Sequence, residues 1–394
     1  MSIREVIKDI YFVGSIDWDR RLFDELIPLP DGTSYNSYLI KTNDKIVLID
    51  SVDPTKKIEL INNLKELNID KLDYIISQHA EQDHSGAIPD ILEIYNDAKV
   101  ITNEKGKELL MTHLHISENK FHVINDGEVL KIGNKTFKFI FTPWVHWPET
   151  FVTYLVEDKI LFTCDFFGSH IATSSIFVDD PSKAEESAKR YYAEIMMPFR
   201  NIIVKNLEKI KNLDIKIIAP SHGYVYDRPE FIVNLYKEWV SDSVKNKITI
   251  LFVSMHGSTK NIVDFITKKF VESGIEVKRF NLTNSDIGEI AMSLVDSASV
   301  IFATPTVLTG PHPLAFYASY IMSALKPKTK FIGIVGSFGW GGQTVNIIKE
   351  TLKNLKAEYL GDVLIKGDPN IEDYEKLNNF VNSFLNKHKE LNLL

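Results

Sequence analysis

The sequence holds a single cysteine, Cys164. Disulfide frameworks, cysteine-based zinc sites and thiolate-held iron–sulfur clusters are therefore excluded, and a reducing compartment is expected. Long apolar runs are missing too. No uncharged span reaches membrane-helix length, and the start, Met1-Ser2-Ile3-Arg4-Glu5, has no apolar signal region. The expectation is a cytoplasmic protein without membrane association. There is no block of lysine or arginine, and a net charge of −8 has the wrong sign for a nucleic-acid binder. Internal repeats and low-complexity segments are also lacking. What remains is ordinary for a globular protein: 44% hydrophobic and 25% charged residues. A chain of 394 residues exceeds one ordinary core, so two domains are expected.

The pattern changes once along the chain. Up to about residue 246, short strands and helices mix with hairpins. Strands are expected at Ile10–Val13, Ser37–Ile40 and Ile46–Ile49, with a hairpin Val129–Ile132/Thr136–Pro143 across Gly133-Asn134. A second hairpin joins Phe151–Val156 to Lys159–Thr163 across Glu157-Asp158. Helices are expected at Lys183–Met197 and Asn201–Leu213, and a charged helix end at Lys237–Lys247. From Ile248 onward the rhythm is strictly strand–helix–strand, with strands Ile248–Val253, Val277–Asn281, Val300–Ala303, Phe331–Val335 and one near Tyr359–Ile365. That rhythm is a doubly wound parallel sheet. The expected division is 1–246 and 247–394.

The densest chemistry is His79-Ala80-Glu81-Gln82-Asp83-His84-Ser85-Gly86, directly after the apolar run Leu72, Tyr74, Ile75, Ile76. Strand ends followed by tight turns present side chains to a cleft. In an extended segment His79, Glu81 and Asp83 point one way and His84 the other, so two metal ions can be held, one on each side of the turn. A polar capping loop is the bland alternative, and four ligand types in six residues argue against it. His146, Asp165 and His222 also follow strand ends. Each alone is an ordinary loop residue; together they occupy the same kind of place as His79–His84.

In this order the metal candidates resemble those of the metallo-β-lactamase fold, an αββα sandwich. The hydrolases of that fold carry His-x-His-x-Asp-His, and here Glu81 replaces the second histidine. A carboxylate in place of an imidazole makes the site harder and favours iron over zinc. The resemblance implies a di-iron centre with His79, Glu81 and His146 on one ion and Asp83, His84 and His222 on the other, Asp165 bridging. His84 either ligates or turns away and leaves a water. Asp50 matches the buried aspartate that supports the metal loop. Trp147 and Tyr192 are expected near the substrate pocket; His170 and His312 more as packing or loop residues. His113, His115 and His122 are expected on the surface.

After Val253 comes Ser254-Met255-His256-Gly257-Ser258-Thr259-Lys260-Asn261, opening a helix. Hydroxyls and free N–H groups at a helix start form an anion site. The stretch is not Gly-x-Gly-x-x-Gly, so a nicotinamide dinucleotide is disfavoured. It resembles the phosphate loop of a flavodoxin. Thr304-Pro305-Thr306 and Gly336-Ser337-Phe338-Gly339-Trp340-Gly341-Gly342 follow later strands, where the flavin ring sits in that architecture. FMN is the expected cofactor, with Trp340 beside the ring.

A metallo-β-lactamase-like half followed by a flavodoxin-like half resembles the flavodiiron proteins over nearly the whole chain. The resemblance implies reduction of dioxygen to water, of nitric oxide to nitrous oxide, or both, at two irons fed by FMN. It also implies a head-to-tail homodimer or dimer of dimers. One cysteine cannot hold a rubredoxin module, so a separate donor is expected: rubredoxin, a flavin reductase or a reduced deazaflavin. Many members carry His-Gly near the pocket where this chain reads Phe23-Asp24-Glu25-Leu26, which leaves the choice between oxygen and nitric oxide open. Two other classes compete. A dinuclear zinc hydrolase with a flavodoxin-like accessory domain is opposed by Glu81 and the flavin loops. A redox sensor without turnover has no need of all seven ligands.

Overall fold

The computed structural model describes residues 3–394. By internal contacts the chain forms two compact units, one ending at Val240 except for residues 193–198, the other comprising 193–198 and 241–394.

The first unit stacks two sheets. Seven strands order as Arg4–Ile7, Ile10–Phe12, Tyr38–Lys41, Ile46–Ile49, Tyr74–Ile76, Lys99–Thr102 and Phe121–Val123. Five more order as Val129–Ile132, Lys135–Phe141, Phe151–Leu155, Ile160–Cys164 and Ile217–Pro220. The period-two alternation of a strand explains both packing faces. Tyr38, Ile40, Val47, Ile49, Ile76 and Ile101 point between the sheets, against Phe137, Phe139, Phe151 and Phe162. Their neighbours Leu39, Leu48, Ile75 and Val100 point outward, under Leu60 and Leu64 of one helix, Ile88 and Ile91 of a second and Leu110 of a third. The result is the expected αββα sandwich, with small additional pairs Ser15–Asp17/Thr33–Tyr35 and Leu22–Phe23/Ile27–Pro28.

Two helix expectations change. The run Lys183–Met197 is not one helix: Pro181–Tyr191 is α-helical, Tyr192–Met196 makes a π turn, Met197–Phe199 a 3-10 turn, and a new helix spans Arg200–Ile210. Pro198 has no N–H to donate, so an α-helix cannot run through it. Nor does a helix end at Lys247. The helix Pro229–Val240 stops earlier, and Lys245 already opens the strand Lys245–Phe252. There Lys247 is buried and pairs with Asp296, a charge that hides a strand from the hydrophobic pattern.

In the second unit five strands lie parallel in the order Glu276–Asn281, Lys245–Phe252, Ser297–Val307, Phe331–Phe338 and Glu358–Lys366. Numbered within the unit this is 2-1-3-4-5, with the order reversing beside the first strand. Ile262, Val263, Ile266 and Phe270 of the helix Ser258–Glu272 cover one face together with the helix Ile371–Glu390. That last helix was not anticipated, although Leu377, Phe380, Val381 and Phe384 follow the helical period and a capping box at Asn370 and Asp373 starts it. Among the described residues no helix is long and apolar enough to cross a membrane.

Candidate metal centre and flavin site

The metal candidates sit where strands of both sheets end. His79 to His84 follow Tyr74–Ile76, His146 follows Lys135–Phe141, Asp165 follows Ile160–Cys164, and His222 follows Ile217–Pro220. Asp50, fully buried, ties two of these loops together. Its carboxylate accepts from Gln78 N at 2.8 Å, Gln78 Nε2 at 3.0 Å and Ser221 Oγ at 3.1 Å, the residues immediately before His79 and His222.

One part of the sequence reading is corrected here. The metal loop is not extended throughout, because Gln82–Ser85 closes a helical turn. Asp83 therefore leaves the side of His79 and Glu81 and joins His84. The ligand atoms of His79, Glu81, His146 and Asp165 lie within 4.8 Å of one another, as do those of Asp83, His84 and His222. Glu81 Oε2 is 3.1 Å from His79 Nε2 and 3.2 Å from His146 Nε2. Asp83 stands 3.1 Å from His222 Nε2 and 3.3 Å from His84 Nε2. Asp165 spans the two groups. Its Oδ2 faces His79 and His146, at 3.4 Å each, while Oδ1 faces His84 at 3.0 Å and His222 at 3.4 Å.

Electrostatics follow from packing three carboxylates and four imidazoles out of water. Burial would lower the imidazole pKa values, yet the carboxylates win. The nearby carboxylates of Asp165 and Glu81 lift His146 to about 9, and those of Asp165 and Asp83 lift His222 to about 10. Burial works against ionised Asp165 and Glu81 as well, but the surrounding histidines hold both low. Among the described residues Asp83 Oδ1 and Asp165 Oδ2, both buried, still find no hydrogen-bond donor. Buried carboxylate oxygens in that state are suited to a metal.

Around this cluster the structure adds residues the sequence reading missed. Glu149 Oε1 accepts from His79 Nδ1 at 2.6 Å and from Ala80 N at 3.0 Å. His222 Nδ1 donates to the Ser34 carbonyl at 2.6 Å. Tyr191, not Tyr192, reaches the cluster: its hydroxyl donates to Asp165 Oδ1 at 2.8 Å. Tyr192 is turned away, with its hydroxyl on the Trp239 carbonyl, because adjacent residues on a helix face different sides. Trp147 sets its ring edge-on to His79 at 5.1 Å. His170 is buried against Tyr191, His222 and Phe23, nearer the cluster than a loop role suggests. His312 caps the helix Pro313–Leu325, and His113, His115 and His122 are exposed. In the Phe23–Leu26 stretch, burial and the charges of Glu81 and Asp83 raise Asp24 to about 6.

In the second unit a cavity of about 220 Å³ opens at the carboxyl ends of the strands, beside the point where strand order reverses. Met255, His256, Ser258, Thr259, Pro305, Thr306, Ser337, Phe338 and Gly339 line it, with Gly367 added. Gly257, at φ +98°, makes the turn into the helix, and Ser254 Oγ accepts from Lys260 N at 3.1 Å. Thr304 does not line the cavity; its buried hydroxyl donates to the Pro305 carbonyl and accepts from His312 N. Trp340, 66% exposed, and Gly341 also lie outside it.

The two halves have separate relatives. The family described as ODP family beta lactamase matches residues 33–223, and the flavodoxin family matches residues 250–379. The nitric oxide reductase of Moorella thermoacetica is 36% identical over 360 residues, 90% of this chain and 90% of that protein. Rubredoxin oxygen:oxidoreductase from Desulfovibrio gigas has the same fold at a TM-score of 0.95 and 30% identity, over 99% of both chains. The flavodiiron protein from Giardia intestinalis gives a TM-score of 0.91 at 29% identity, over 98% of both. Sequence relatives that span the chain, and an ODP-family half followed by a flavodoxin half, lead to one conclusion: the chain belongs to the flavodiiron protein family.

Proposed function

We propose that this protein is an oxidoreductase that reduces dioxygen, nitric oxide or both at two irons held by the first unit, using electrons from FMN on the second. The observation that carries the reading is Asp165, whose two oxygens face two separate ligand groups. The donor set fits the metal. Three carboxylates, four imidazoles and buried carboxylate oxygens without donors make a hard, anionic site suited to iron. His79, Glu81 and His146 would hold one iron, Asp83, His84 and His222 the other, with Asp165 between. Iron and flavin together supply one-electron transfer coupled to a two-electron carrier.

The chain's own residues do the rest. Trp147 and Tyr191 close the cluster against bulk water, and the Tyr191 hydroxyl fixes the rotamer of Asp165. Ser258, Thr259 and the N–H groups of the helix start suit a phosphate, and Pro305, Thr306, Phe338 and Gly339 suit the walls of a planar ring. Residues 1–246 would form the di-iron domain and 247–394 the FMN domain. A head-to-tail homodimer or dimer of dimers would bring the flavin of one copy to the metals of another. Rubredoxin, a flavin reductase or a reduced deazaflavin would deliver electrons, in the cytoplasm.

Protein made with iron and purified without oxygen tests the reading. Two irons and one FMN per chain are expected, together with donor-dependent consumption of oxygen or nitric oxide. Zinc at both positions in catalytically active protein, located by anomalous scattering, would overturn it.

A further inference from the structure

His79 differs from His222 in what stands behind it. Its Nδ1 donates to the Glu149 carboxylate at 2.6 Å, whereas His222 Nδ1 donates to the neutral carbonyl of Ser34. Glu149 is itself a fixed group. It is 1% exposed, and its backbone carbonyl accepts from Asn103 Nδ2 at 2.5 Å. Oε1 takes both the His79 and Ala80 bonds, while among the described residues Oε2 has no partner. Were Glu149 needed only to pin the loop, glutamine would accept both bonds without the cost of a buried charge. The charge lies directly against the His79 ring. A carboxylate on the far nitrogen of a ligating imidazole fixes its tautomer and raises its basicity.

We propose that Glu149 is a positioning residue that makes the two metal ions unequal: it aims His79 Nε2 into the cluster and donates negative charge through the ring. The ion on His79, Glu81 and His146 would thereby be the easier of the two to oxidise, passing one electron to the diatomic substrate or to a redox mediator as it goes from ferrous to ferric. The inference rests on the di-iron reading above. It adds an order of oxidation, which the seven ligands alone do not set.

Full-length wild type, Glu149→Ala and Glu149→Gln, loaded anaerobically with ferrous iron, provide the test. Anomalous diffraction gives the occupancy of each position, and a mediated redox titration gives the potentials. Glu149→Ala removes both the bond and the charge. Its iron affinity is expected to fall about 10–100-fold at the His79 position, with no change at the His222 position or in FMN content. Glu149→Gln keeps an acceptor for Nδ1, so both irons should remain. Loss of the charge should raise the potential of the iron on His79, by ~59 mV for each tenfold change in its ferric-to-ferrous preference. Equal loss from both positions in the alanine variant, or wild-type potentials in the glutamine variant, would overturn the proposal; if the alanine chain does not fold, the glutamine variant decides. Wild type that takes up fewer than two irons would instead remove the di-iron reading, and that result needs no variant.

Discussion

At the scale of the residue, Asp165 and His388 give opposite lessons about buried charge. Asp165→Asn preserves shape and one carbonyl oxygen but removes a charge that faces both ligand groups. At least one metal ion per chain should be lost while FMN content stays unchanged; metal analysis beside the flavin absorbance checks both. His388, fully buried on the last helix, is neutral: Nδ1 donates to Asn246 Oδ1 at 2.8 Å and Nε2 meets Ser299 Oγ at 2.7 Å. Burial lowers its pKa from 6.5 to about 4. The folded state thus binds this proton less readily than the unfolded chain. The stability it confers is complete above pH 6.5 and is lost as the pH falls toward 4, at ~1.4 kcal/mol per pKa unit. Denaturant unfolding followed through the flavin unit should show that loss, and His388→Gln, which keeps a donor and an acceptor, should flatten it. His79, Glu81, Asp83, His84, His146, Asp165 and His222 were legible because their types are rare together and each follows a strand. Glu149 and Tyr191 were not. An acid three residues beyond His146, or one tyrosine of an adjacent pair, carries no signal until the backbone fixes which side it faces.

Among the elements, the strand Phe331–Phe338 is where packing meets the flavin cavity. A Cβ on Gly336 would lie 2.0 Å from the Thr304 carbonyl oxygen of the neighbouring strand. Gly336→Ala should force the two strands apart just before Pro305 and Ser337, costing about 1–3 kcal/mol and weakening FMN binding at least tenfold. Thermal melts and flavin titration measure the two effects. The period-two and strand–helix rhythms revealed most of these elements in the sequence. The exceptions share a cause: local pattern was overruled by backbone hydrogen bonding or tertiary pairing. The run expected as one helix to Met197 leaves the α form at Tyr192, in the turn ahead of Pro198. Lys245 and Lys247 start a strand despite their charge, because parallel partners and Asp296 wait on either side.

For the whole molecule, the division near residue 246 can be checked by expression. A fragment 241–394 keeps the entire strand Lys245–Phe252 and the Asn246 contact to His388. It should fold, bind FMN and consume no oxygen. The fragment 247–394 lacks Lys245 and Asn246, so it should bind FMN with a lower melting temperature. Oxygen reduction by either fragment, beyond the leak of free reduced flavin, would place the chemistry in the wrong half. The first unit carries a different kind of dependence. Its ligands come from both sheets: His79 to His84 follow a strand end of one, and His146, Asp165 and His222 follow strand ends of the other. Cations seated among them would act as a clasp across the open side of a book whose spine is the apolar layer between the sheets. Without them the pages would be held by the spine and by hydrogen bonds across the sheets, among them Asp50 with Gln78 and Ser221, Glu149 with Ala80, and Tyr38 with the Pro220 carbonyl. Iron supply would then govern how long the protein survives as well as how fast it turns over. Chelated protein should be cut by protease first in the loops around His84 and His146, with the flavin unit released intact.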